Sequence, residues 1–157
     1  MKKLFIALVA FLTLCACSSD DKKQFEYRNL ALSMPFKTIC DSLQARGFVV
    51  DSAHSDSAGN MVVMGNPAAN YRLVLAQRND TLLALQENYA LSTNDSTRRL
   101  WQELHDQFEK QLGSWPNMTK HGDDHKVAKF EDDGGFITLT LKNTYTPTLS
   151  VLYEPKN

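Results

Sequence analysis

The sequence predicts an α+β domain: an antiparallel sheet with two helices packed on one face, in the order β-α-ββββ-α-βββ. Three observations carry that expectation. Two segments place apolar residues at helical spacing and stop at a glycine. Several short segments alternate apolar and polar residues with a period of two. Turn residues separate those segments closely enough that neighbouring strands pair as meanders.

Taken in order, Asn29 to Ser33 reads as a short first strand, and Met34-Pro35-Phe36 turns the chain into a helix. Thr38 is the expected cap, with Asp41 three residues on in a capping-box arrangement. Ile39, Cys40 and Leu43 form the apolar stripe. Gly47 suits the left-handed position after the helix, which would bring Phe48 onto Leu43 in a Schellman contact.

Strands are then expected at Phe48-Val49-Val50, Met61 to Met64, Tyr71 to Ala76 and Leu82 to Tyr89. The polar loop Asp51 to Asn60, the turn Gly65-Asn66-Pro67 and the tip Asn79-Asp80 separate them. Asn94, Asp95 or Ser96 would cap a longer helix, in which Leu100, Leu104, Phe108 and Leu112 recur every four residues beside Trp101. Arg98, Arg99, Glu103, Asp106, Glu109 and Lys110 cover its other face, and Gly113 and Pro116 end it. Three strands close the chain: His125 to Glu131, Phe136 to Leu141 and Thr148 to Tyr153, with the Asp132-Asp133-Gly134-Gly135 turn between the first two. One half-core is expected from Ile39, Leu43, Phe48, Leu73 and Leu75. The other comprises Leu100, Leu104, Phe108, Ile137, Leu139 and Val151. Helix-then-meander occurs twice, which suggests a duplication in topology.

The N-terminus speaks to address. Met1-Lys2-Lys3 is cationic, and Leu4 to Leu14 is almost purely apolar, the length of a signal-peptide core and short for a membrane span. Leu14-Cys15-Ala16-Cys17 follows and resembles the lipobox of bacterial lipoprotein precursors. The resemblance implies cleavage after Ala16 and acylation of Cys17, so the expected organisation is a signal peptide over 1–16, an acylated polar tether over 17–24 and one α+β domain over 25–157. An uncleaved anchor is the competing reading. Acyl chains on Cys17 would fix the protein to the outer membrane, facing the periplasm or the cell surface. Ser18-Ser19-Asp20-Asp21 is similar to the surface-export signal of some Gram-negative lipoproteins; it reads equally as a plain tether.

Removal of 16 of the 157 residues leaves 141, enough for one core. Loss of Lys2 and Lys3 leaves 15 basic against 18 acidic side chains, so no basic face argues for nucleic acid. Cys40 then stands alone and cannot form an internal disulfide; a small apolar filler is the expected role.

No residues form a catalytic frame: there is no Gly-x-Ser-x-Gly elbow and no EF-hand spacing at Asp132-Asp133, and an enzyme is not expected. No cofactor is expected either. His121, Asp123, Asp124 and His125 place two imidazoles and two carboxylates within five residues, a candidate transition-metal site; a charged connector is the plainer reading. Asp followed by Ser or Thr recurs at Ser52, Ser57, Thr81 and Ser96, similar to an O-glycosylation signal of bacterial envelope proteins, and these four are expected at loops or hairpin tips.

The layout resembles small β-lactamase-inhibitor-protein-like (BLIP-like) envelope domains and gut-bacterial lipoproteins of unknown function. Leu32-Ser33-Met34-Pro35, Arg46-Gly47-Phe48 and Leu112-Gly113-Ser114-Trp115-Pro116 carry the resemblance. It implies a binding or scaffold module for an envelope or extracellular protein. A small-ligand or metal carrier is the alternative.

Overall fold

The computed structural model describes residues 25–91, 93–122, 125–142 and 146–156. Its elements run β1 (Glu26–Tyr27), β2 (Leu30–Ala31), α1 (Phe36–Ala45), β3 (Val49–Val50), β4 (Met61–Gly65), β5 (Tyr71–Arg78) and β6 (Thr81–Ala90). After these come α2 (Asn94–Leu112), β7 (Met118–His121), β8 (His125–Asp132), β9 (Gly135–Lys142) and β10 (Thr148–Pro155). The class is α+β, as expected, but the order differs at two places.

The first expected strand, Asn29 to Ser33, is instead the second arm of a small hairpin of β1 and β2. Arg28 and Asn29 both adopt positive φ at its tip, the conformation of a two-residue type I′ turn. Four strands, not three, follow α2. The additional one, β7, carries the weakly apolar Met-Thr-Lys-His, too polar to signal a strand by periodicity; its pairing with β8 holds it in the sheet.

The helix starts also moved. Phe36 opens α1 and Thr38 caps nothing. The orphan amides are met from another element: Phe36 N–H donates to the Asp80 carbonyl at 2.8 Å and Lys37 N–H to Asp80 Oδ1 at 3.1 Å. Asp80 reaches them from the β5–β6 hairpin, where Asn79 and Asp80 have φ of 52° and 58°. The far end of α1 forms the expected Schellman motif, with Phe48 N–H to the Leu43 carbonyl, Gly47 N–H to that of Gln44, and Gly47 at φ 88°. Thr93 caps α2 in a capping box with Ser96, one residue before the expected candidates, and Gly113 ends it in the left-handed region.

Eight strands make one antiparallel sheet in the order β3-β4-β5-β6-β10-β9-β8-β7. Each half is a four-strand meander, and the halves join through their last strands, β6 and β10, with Tyr89 opposite Leu149 and Leu85 opposite Tyr153. Leu73, Leu75, Leu85, Ile137, Leu139, Leu141, Leu149 and Val151 point to one face and are buried with Ile39, Leu43, Trp101, Leu104 and Phe108 in one hydrophobic cluster. Both helices therefore lie on that face. All members of the two expected half-cores are buried except Leu100, which is half-buried at the edge of α2. The Asp132–Gly135 turn uses its glycines for room rather than for positive φ. A Cβ on Gly135 would stand 2.5 Å from the Glu154 carbonyl and 2.6 Å from the Phe25 ring.

Candidate functional site

The opposite face of the sheet has no helix on it among the described residues. Strand alternation determines what it presents. A row of paired positions crosses it: Val49, Gly65, Arg72, Asn88, Ser150, Thr140, Val127 and Lys120. Two rows further along the same face β9 carries Phe136, whose ring lies 4.2 Å from Lys129 Nζ and 5.0 Å from Lys156 Nζ. Lys156 is bonded in turn to Glu131 at 2.9 Å, which holds the Glu131 carboxyl below its usual range.

At the β3–β6 end this face deepens into an open groove of about 760 Å³, bordered by Val49, Gly65, Pro67, Arg72, Asn88 and Ala90. Gly65 makes the depth: a Cβ built there would meet no atom within 4 Å. Val49 is 65% exposed on the edge strand, apolar surface beside the groove. The charged wall is organised by Asp51, which accepts from His54 Nδ1 at 2.8 Å and lies 3.8 Å from Arg72. The His54 hydrogen bond is the main cause that lowers the Asp51 carboxyl below its ordinary value, with His54 and Arg72 charge adding to it.

A second feature lies under α2. Glu87 on β6 is 1% exposed, a carboxylate facing the core. Its Oε1 accepts from Tyr27 at 2.9 Å and from Arg28 Nη2 and Nε at 2.9 and 3.1 Å; its Oε2 accepts from Tyr89 at 2.9 Å. Burial first, then the Glu87 charge, raises the phenols of Tyr27, Tyr89 and Tyr153 well above their ordinary values. Burial works against the Arg28 charge, but Glu87 and the neighbouring tyrosines outweigh it and raise the guanidinium further. Tyr27 and Arg28 belong to the N-terminal hairpin, so this network ties that hairpin to the centre of the sheet. A polar cavity of about 430 Å³ opens beside it, lined by Glu26, Arg28, Glu87, Gln107, Gln111 and Tyr153.

No family model, curated protein or solved structure matches this chain.

The candidate site residues fall as follows. Cys17, Asp123 and Asp124 lie outside the described residues, as does the side chain of His121; His125 is half-buried at the start of β8. Ser52 and Ser57 are exposed in the loop before β4, and Thr81 is exposed beside the β5–β6 tip. Ser96 is not at a loop. It sits in the first turn of α2, half-buried, with its hydroxyl in the capping box and bonded to the Thr93 carbonyl at 2.9 Å. Cys40 is half-buried beside the core, and burial, then Asp41 and Asp80, pushes its thiol above the ordinary value.

The metal-type donors that the structure does bring together are others: His105, Asp106 and Glu109 on α2, whose ligand atoms all lie within 4.8 Å of one another. The sequence carried one signal for them, a His and a Glu four apart, on the same side of a helix. Asp106 faces solvent as expected, but Glu109 is partly covered, and its position on the polar face of the helix pattern hides that.

Proposed function

We propose that this chain is a lipid-anchored, non-enzymatic binding module of a bacterial envelope, which presents the uncovered face of its sheet to another protein. The observation that carries the reading is the one-sided sheet itself. Eight strands span a wide surface, helices cover one side, and the other offers half-buried polar side chains and an apolar groove floored by Gly65. Grooves with apolar floors and a few placed charges suit recognition. The joining of two helix-plus-meander halves at their last strands supports a BLIP-like layout, for which an inhibitor-like or envelope-assembly role is the natural one. The lipobox at Leu14 to Cys17 supports the address.

Photo-crosslinking in intact cells tests the partner. A photoreactive residue replacing Arg72 or Ser150 should give adducts to the same protein, and one replacing Gln102, exposed on α2, should not. If the Gln102 position captures as much, the uncovered face is not the binding surface. For the address, Cys17→Ala should abolish acylation and cleavage, so that the chain accumulates at its full precursor mass with the apolar run Leu4 to Leu14 retained; normal maturation would sink the lipoprotein reading. The size of the groove also favours a second occupant, a small apolar ligand, which native mass spectrometry of the purified chain would register as added mass.

A further inference from the structure

His105, Asp106 and Glu109 stand at positions i, i+1 and i+4 of α2. The His105 side chain is only 13% exposed, and its ring is fixed between Trp101, with centroids 5.0 Å apart, and Phe130, 5.5 Å away. Its Nδ1 and the Glu109 Oε1 are both buried from solvent, and neither has a hydrogen-bond partner among the described residues. Buried polar atoms without partners are costly and call for an explanation. These two face each other at 3.8 Å, and Asp106 Oδ1 lies 3.7 Å from the same nitrogen.

Those separations are too long for hydrogen bonds and suit a shared ion. Nitrogen and carboxylate ligands bind zinc-like ions at about 2.0–2.2 Å, so two donors under 4 Å apart can straddle one ion with little movement. One imidazole with two carboxylates favours a first-row transition metal over calcium or magnesium, which prefer all-oxygen shells. The way in is open as well. Asp106 and Glu109 border a surface cavity of about 360 Å³ that extends to Trp115, itself 80% exposed.

We propose that His105, Asp106 and Glu109 bind one divalent transition-metal ion of the zinc class, with its remaining coordination positions facing the cavity beside Trp115. The site lies on the helical side of the molecule, away from the groove at Gly65, and stands whether or not that groove binds a protein. The three side chains supply an incomplete shell, so water or an anionic or imidazole group from outside would complete it.

The test uses the full chain in detergent micelles, stripped with a chelator and titrated with zinc by calorimetry. One equivalent should bind, and His105→Gln and Glu109→Gln should each weaken binding at least about tenfold, since even outer-shell partners of a metal are worth about 10–100-fold. A His121→Gln/His125→Gln double variant should bind as the parent does. In a Trp115→Phe background the remaining tryptophan, Trp101, should be quenched by cobalt and restored by zinc. Absence of a saturable equivalent, unchanged binding in Glu109→Gln, or loss in the His121/His125 variant would each overturn the proposal. Circular dichroism of every variant keeps misfolding separate from lost ligation, and Glu109→Gln decides should His105→Gln fail to fold.

Discussion

Glu87 shows how one side chain can organise a core from the wrong chemical class. A carboxylate at the middle of a sheet is tolerated because four donors from Tyr27, Arg28 and Tyr89 surround it. Arg28→Met would leave that charge buried without its cation and should cost about 3 kcal/mol of stability. Glu87→Gln keeps the shape and loses only charge assistance, so about 1–2 kcal/mol is expected. Denaturant midpoints of the two variants should fall in that order; the reverse order would mean that Arg28 is not what stabilises the carboxylate. The same cluster sets an alkaline limit. The phenols of Tyr27, Tyr89 and Tyr153 hold their protons more tightly folded than unfolded, so their contribution is complete below an ordinary phenol value of about 10 and lost as pH rises past it. Phenolate absorbance from these residues should therefore appear together with the loss of circular dichroism. Reversible titration of all tyrosines in the folded state near the ordinary value would contradict it.

At the scale of the element, α1 is capped by a hairpin distant in sequence. Asp80 supplies both acceptors while holding a left-handed backbone. Asp80→Ala keeps the backbone acceptor for Phe36 but loses the side-chain acceptor for Lys37 and strains the turn, a cost of about 2 kcal/mol. Asp80→Gly loses the same side-chain acceptor but relaxes the backbone, so it should be the milder change. Thr38→Ala, at the residue that sequence pattern picks as the cap, should stay within about 0.5 kcal/mol of the parent. Equal losses for Asp80→Ala and Thr38→Ala in thermal melts would refute this account. The glycines divide similarly. Gly135 is held by close contact with the Glu154 carbonyl and Phe25, and Gly47 by its φ of 88°.

Across the whole molecule, two meanders joined at β6 and β10 make a sheet whose helices, among the described residues, pack on one side. That geometry separates stability from binding. Gly65→Val adds a side chain where nothing stands within 4 Å, on a strand that favours β-branched residues. Stability should change by no more than about 1 kcal/mol, while crosslinking to a partner through Arg72 should fall sharply. Undiminished capture would show that the groove is not the contact surface, and a large loss of stability would show that the fold does not tolerate a side chain at Gly65.

The sequence by itself determined the class, both helices, seven of the sheet strands and nearly every member of the two half-cores, because periodicity and stop residues are local signals of burial. Leu73, Leu75, Ile137 and Leu139 announce their face by alternation, and Gly47 announces the end of a helix by its neighbours. Tertiary structure alone decided the rest. The Asp80 cap, the Glu87 cluster and the meeting of β6 with β10 join residues far apart in the chain, which no local period encodes. β7 takes its strand form from the partner beside it. The His105–Glu109 site carried a faint local signal, yet only burial of its unpartnered atoms distinguishes it from an ordinary charged helix surface.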